Sequence, residues 1–290
     1  MNSLKYEAPS SLDDAIALLA RTSGRSRVLA GGTDVLVQME TDLIEPDLVV
    51  DIKKIPELRG IAQENGGFRV GAAVTGMELM DHPAFCEAWP GVIDGVKLIG
   101  SMQIKGRATM GGNLCNASPA ADSVPALIAA GATARIAGPN GTRDVPVENI
   151  PIGPGKTSLG KGEIIISFLF PQRPPHSGDA YLRMTPRTEM DIAVVGVGVN
   201  ITLDAGGVCS VARVSLGAVA PTVLLVEEAG AVLIGTHLDA PALDRLAQAA
   251  AAACRPIDDK RGTREYRIKV AGVLAKRAAS LALKRARQNP

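Results

Sequence analysis

Two stretches decide how this chain is read. They are Val28-Leu29-Ala30-Gly31-Gly32-Thr33-Asp34-Val35-Leu36 and, about 80 residues later, Gln103-Ile104-Lys105-Gly106-Arg107-Ala108-Thr109-Met110-Gly111-Gly112-Asn113-Leu114. Each sets a pair of glycines beside hydroxyl or amide side chains, at the end of a plausible element. Glycine tolerates positive φ, and without a Cβ it lets a ligand approach the main chain, so consecutive N–H groups can converge on an anion. Two such loops suit the two phosphates of a diphosphate. Neither glycine turn contains a lysine. None is needed where several N–H donors meet charged oxygens, each bond being worth about 1.5–3 kcal/mol before solvation losses. In a chain with 31 glycines a single Gly-Gly turn is ordinarily just a tight turn. The pairing is the signal.

Working outward, Ser10-Ser11-Leu12-Asp13-Asp14 carries two overlapping capping boxes that open a helix from about Leu12 to Ala20. Arg27 to Ala30 is a short strand running into the first glycine turn, and Leu48 to Ile52 is the next buried strand. Phe68 to Gly71 reads as a strand, Thr75-Gly76-Met77-Glu78 as a capping box, and Pro90 to Ile99 as a helix. The second glycine turn leads to a helix with an apolar body from Val124 to Ala130. From Thr133 strands dominate: Thr133 to Ala137, Arg143 to Val145, Ile164 to Phe170, Tyr181 to Met184, Ile192 to Leu203 and Val208 to Ala220. Pro171-Gln172-Arg173-Pro174-Pro175-His176 is the most linker-like segment and marks a domain boundary, dividing the chain into 1–175, with lobes of about 1–55 and 56–175, and 176–290. Ala242 to Cys254 and Arg264 to Arg287 are helices, the latter with basic residues read as a solvated face.

Composition removes several classes of function. Lys and Arg total 31 against 30 Asp and Glu, so no global charge gathers nucleic acid or an anionic membrane, and eight aromatic residues are too few for stacking platforms. No stretch approaches the roughly 18 uninterrupted apolar residues of a membrane span, and Met1 to Ser10 lacks a secretory pattern, so a cytoplasmic protein is expected. Cys86, Cys115, Cys209 and Cys254 form no C-x-x-C and read as reduced packing residues; His82, His176 and His237 are equally scattered, so no metal site is expected. Gly196-Val197-Gly198 fails as a dinucleotide fingerprint because Ile201 stands where a third glycine is needed. Gly155-Lys156-Thr157 fails as a triphosphate loop because Ile150 holds the position of its first glycine.

The two glycine loops in their contexts resemble the FAD-pyrophosphate signatures of molybdenum hydroxylase flavoprotein subunits, the xanthine dehydrogenase and carbon monoxide dehydrogenase family. Asn116-Ala117-Ser118-Pro119-Ala120-Ala121-Asp122, Gly153-Pro154-Gly155-Lys156-Thr157, Glu163-Ile164-Ile165, Tyr181-Leu182-Arg183 and Arg187 to Ala193 extend the resemblance over nearly the whole chain. By that resemblance, Leu29, Ala30, Gly31, Gly32, Thr33, Asp34 and Val35 with Thr109, Met110, Gly111, Gly112 and Asn113 hold the pyrophosphate. Ser118 and Asp122 hold the adenosine half, and Ile99, Ile165 and Arg183 border the isoalloxazine. Gly106 stands where the family often has Asn; xanthine dehydrogenases have an aromatic residue at Ile99 and a lysine at Arg183.

The resemblance implies an α+β fold: a two-lobed FAD-binding domain of the vanillyl-alcohol oxidase/PCMH type, then a C-terminal domain of a three-stranded antiparallel sheet with helices. It also implies an electron-transfer subunit. A small partner would carry [2Fe-2S] clusters, a large one the molybdopterin cofactor, in a dimer of heterotrimers, with NAD+, a quinone or oxygen as external acceptor. No residue of this chain is assigned a catalytic role, consistent with a cofactor that carries the redox chemistry. A free-standing FAD oxidoreductase on the same fold and a non-catalytic assembly module remain as alternatives. The first needs an acid or base above the flavin; the second would purify colourless.

Overall fold

The computed structural model describes residues 4–289. The first lobe contains β1 (Lys5–Glu7), α1 (Leu12–Arg21), β2 (Ser26–Leu29), α2 (Val35–Glu40) and β3 (Leu48–Asp51). Its strands pair in parallel in the order β1-β3-β2. The central strand, Leu-Val-Val-Asp, is buried throughout, as a parallel strand covered on both faces must be. Of the two overlapping capping boxes, Ser11–Asp14 sets the cap of α1: the Ser11 hydroxyl accepts the Asp14 N–H and donates to the Asp14 carboxylate. The edge strand β1, exposed along its length, had no sequence signal.

The second lobe runs β4 (Ile61–Glu64), β5 (Gly67–Gly71), α3 (Gly76–Met80), α4 (Pro83–Ala88), α5 (Pro90–Lys97), α6 (Met102–Lys105), α7 (Met110–Cys115), α8 (Ser123–Ala129), β6 (Thr133–Gly138), β7 (Gly141–Pro146), β8 (Pro151–Gly153), β9 (Lys156–Thr157) and β10 (Ile164–Phe170). Five of these strands form an antiparallel sheet, β4-β5-β10-β6-β7, while β8 and β9 make a separate hairpin. The Thr75–Glu78 capping box forms as read. The helices and sheet close over Phe85, Trp89, Leu127 and Phe168.

The rest comprises β11 (Ser177–Met184), β12 (Val195–Leu203), β13 (Cys209–Gly217), β14 (Leu224–Leu225), α9 (Glu227–Ala231), α10 (Ala240–Ala253) and α11 (Arg264–Gln288). The sheet is antiparallel, β11-β12-β13-β14. It has four strands where three were expected, because the two residues of β14 are too few for alternation to register.

Both faces of this sheet are covered. Val195, Val197, Val199 and Ile201 of β12 pack into a core with the alanines of α11, and the main chain of α11 approaches so closely that a Cβ on Gly178 would lie 2.1 Å from the Ala282 carbonyl. The alternate residues face the second lobe. There a Cβ on Gly198 would lie 2.4 Å from the Pro125 carbonyl of α8, and one on Gly196 would lie 2.4 Å from the Tyr181 hydroxyl. The glycines that failed as a dinucleotide fingerprint thus admit a helix and an aromatic ring to a packed sheet face.

Two readings of polar segments change in three dimensions. The extended segment after β10 is pinned: Arg173 donates to the Ala88 carbonyl, pairs with Asp179 at 2.8 Å and lies 4.9 Å over the Trp89 ring. The basic face of α11 is not wholly solvated either. Arg267 is 3% exposed and donates to the carbonyls of Val194 and Ala218, while Arg285 reaches Asp94 and the Asp179 carbonyl.

Candidate functional site

The first glycine turn lies between β2 and α2, the second at the start of α7, and folding brings them into contact. A Cβ on Gly31 would sit 2.0 Å from the Arg107 carbonyl, so glycine is required there by the neighbouring loop. Gly111 is held close to Ala72 for the same reason, its Cβ position 2.6 Å from the Ala72 carbonyl. Of the four glycines only Gly32 has a positive φ, 81°. Gly112 is different again: its Cβ would meet only the Thr109 hydroxyl, at 3.2 Å, with open space beyond. The sequence argument from positive φ therefore holds at one position, and close approach explains two others.

The loops form part of one crevice of about 520 Å³ between the lobes. Among the described residues, the main-chain N–H groups of Gly31, Gly32, Thr33, Asp34 and Val35 have no protein acceptor, and neither has that of Gly111. Buried or half-buried main-chain donors are normally paired, so a run of free ones around a cavity marks a place for an acceptor. The Thr109 hydroxyl caps α7 by accepting the Gly112 N–H at 2.9 Å. Asn113 uses its Oδ1 to accept from the Ser123 N–H and hydroxyl, which fixes the orientation of its amide at the crevice wall. Burial pushes the Asp34 carboxyl above its ordinary range.

Twelve of the residues nominated from the sequence line the crevice: Ala30, Gly31, Gly32, Thr33, Asp34, Val35, Ile99, Thr109, Gly111, Gly112, Asn113 and Ile165. Five do not. Leu29 and Met110 point into the core at 8% and 4% exposure. Ser118 caps its own turn by accepting the Ala120 N–H. Asp122 and Arg183 find each other instead, at 2.5 Å, with the Tyr181 hydroxyl on the other Asp122 oxygen at 2.8 Å. Burial raises the Asp122 carboxyl to about 6, opposed by the Arg183 charge and by hydrogen bonds from Tyr181 and Arg183.

Sequence reasoning missed several wall residues. Gln38 and Asn116 come from opposite sides and join through Gln38 Nε2 and Asn116 Oδ1 at 2.9 Å; Gln38 stands in no recognisable pattern, and Asn116 opens a family segment whose nominated residues are Ser118 and Asp122. Gly155 and Thr157 of the rejected triphosphate loop line the crevice from the β8–β9 hairpin. Cys115, read as a packing residue, is exposed and lines it too.

Comparison with known proteins agrees with this geometry. Residues 2–173 match the profile of the FAD binding domain in molybdopterin dehydrogenase, and residues 180–282 match the CO dehydrogenase flavoprotein C-terminal domain. The chain therefore belongs to the FAD-binding medium-subunit family of the molybdenum hydroxylases, and it is an oxidoreductase subunit. It is 36% identical to the carbon monoxide dehydrogenase medium chain of Afipia carboxidovorans, with 98% of each chain covered. It is 33% identical to a putative xanthine dehydrogenase FAD-binding subunit of Escherichia coli, with 96% of this chain and 95% of that one covered. Among solved structures, a chain of Cu,Mo-CO dehydrogenase superposes with a TM-score of 0.93 at 36% identity, covering 97% and 98% of the two chains. A chain of quinoline 2-oxidoreductase from Pseudomonas putida superposes at 0.90 and 28% identity, with 98% of each covered. Among the described residues, no helix is long and apolar enough to cross a membrane.

Proposed function

We propose that this chain is the electron-transfer subunit of a molybdenum hydroxylase, passing electrons from the [2Fe-2S] clusters of a small partner through FAD to an external acceptor of the NAD+, quinone or oxygen class. A large partner would hold the molybdopterin cofactor, and the assembly would be a dimer of heterotrimers. The observation that carries this reading is the run of free main-chain donors from both glycine loops around one crevice. FAD, when bound, supplies the ability to take electrons singly and deliver them in pairs.

The chain's own residues bind and orient. Gly31 to Val35 and Thr109 to Asn113 would hold the pyrophosphate, the free N–H groups of Gly31 to Val35 and of Gly111 replacing water around its oxygens. Ile99 and Ile165 would present apolar surface to the isoalloxazine, excluding water from one side. Asp122 and Arg183 are given a different role here: as a closed pair they would shape the wall from behind. The boundary between the FAD domain and the C-terminal domain is placed within Pro171 to His176.

The test uses the deflavinated chain and then the assembled complex. FAD should rebind at one per chain and be released by acid, whereas FMN, with a single phosphate, should bind far more weakly. The complex, mixed anaerobically with its substrate, should bleach flavin and cluster bands together. Substrate turnover by the isolated chain at the rate of the complex would instead favour a free-standing flavoenzyme.

A further inference from the structure

The turn from Asn116 to Asp122 is gripped from every part of the molecule. From the first lobe, Gln38 on α2 donates to the Asn116 side chain across the crevice. From the β8–β9 hairpin, the Gly155 N–H donates to the Ala117 carbonyl at 3.1 Å. From the C-terminal sheet, the Ala218 N–H donates to the Pro119 carbonyl at 2.7 Å, and Tyr181 and Arg183 take both oxygens of Asp122. Within the turn Ala117 is buried at φ 49°, a left-handed conformation that a residue with a Cβ keeps only where its surroundings hold it.

Two kinds of contact thus meet on seven residues. Asn116, its partner Gln38, and Gly155, which bonds to the next residue of the turn, line the crevice. Tyr181, on β11, and Ala218, which directly follows β13, do not. Asn113, on the crevice wall, is tied to Ser123, the first residue of α8 directly after the turn. Anything that orders the turn from one side orders it for the other.

We propose that this turn is a positioning hub through which nucleotide binding and docking of the C-terminal sheet stabilise one another. The proposal rests on the FAD reading above and goes further: it makes Tyr181, which lies outside the crevice lining, a positioning residue for the cofactor. Because coupling free energy is reciprocal, FAD must tighten the sheet contact by the factor by which that contact tightens FAD.

The full chain with Tyr181→Phe, which removes only the hydroxyl, tests it. FAD release should quicken about 5-fold, the factor corresponding to one net hydrogen bond. In the wild type, FAD should slow amide exchange at Tyr181 to Arg183 and at Ala218, and in Tyr181→Phe that slowing should be largely lost. Leu246→Ala, in the core under α10, is the control: it should lower stability yet leave FAD release unchanged. Unchanged release in Tyr181→Phe, or equal acceleration in Leu246→Ala, overturns the hub while leaving FAD binding intact. If Tyr181→Phe does not fold, the wild-type exchange decides: no FAD-dependent slowing outside the crevice overturns the proposal. A wild-type chain that takes up no FAD sinks the underlying reading, and the hub with it.

Discussion

The crevice and the seam behind it are built on opposite rules. Around the crevice, main-chain donors are left free and Gly112 faces open space, so that the wall is incomplete by itself. Along the seam between the second lobe and the C-terminal part, formed by β11 and α11, charged side chains are paired. Arg183 meets Asp122 at 2.5 Å, Arg173 meets Asp179 at 2.8 Å, and Arg285 meets Asp94 at 2.6 Å. Unsatisfied polar groups are costly when buried, and they persist where a ligand completes them. Paired buried charges are costly to separate, and they hold a docked surface in one register. Free main-chain donors around a cavity mark the site, and ion pairs between distant segments mark the interface.

The largest effect should come from filling the crevice. Gly112→Val places a branched side chain in the open space beyond Gly112, with only the Thr109 hydroxyl nearby, so FAD content should fall from one per chain to near zero while the fold and the seam survive. Flavin absorbance against circular dichroism reads both at once. A Gly112→Val chain retaining stoichiometric FAD would remove the second loop from the pyrophosphate site.

Breaking the seam should act first on stability. Arg183→Ala strands a buried carboxylate, and removing one partner of such a pair costs about 3–5 kcal/mol. Urea unfolding should show that loss at pH 8, with a smaller one near pH 5, where the Asp122 carboxyl, raised to about 6, takes up a proton. An equal loss at both pH values would mean that Asp122 does not carry the effect.

The smallest effect is a slope. The Asp122 carboxyl is raised in the folded protein because burial outweighs Arg183 and Tyr181. A raised carboxyl contributes stability that is fully present below its unfolded value of about 3.9 and is lost as pH rises through about 6. Wild type should therefore lose stability relative to Asp122→Asn between pH 4 and 7, and run parallel to it above pH 8. A wild-type advantage that grows with pH would show that the ion pair outweighs desolvation.

Much of the fold was legible because its signals are local. The cap at Ser11, the capping box at Thr75, and the strands Leu48 to Asp51 and Ile164 to Phe170 each follow from a few neighbouring residues. The exposed β1, the two-residue β14 and the short α9 lacked the length for any period to show. Asp122 and Arg183 were nominated for the cofactor and lie instead in a pair, since a strand's polar face looks the same in sequence whether water or another domain covers it. On β11, Asp179, Tyr181 and Arg183 alternate with Ala180 and Leu182 as in a solvated strand, yet they meet Asp94, Arg173 and Asp122.

The sequence by itself determined that two glycine loops about 80 residues apart carry the pattern of a diphosphate site, and that no cysteine or histidine set accompanies them. Those are properties of residue type and spacing. Tertiary structure alone decided which glycines are bare for a ligand and which for a neighbouring carbonyl, that Gln38 and Asn116 meet across the crevice, and that Asp122 turns towards Arg183. Each of these depends on groups brought together from distant parts of the chain, and local pattern holds no record of which partner arrives.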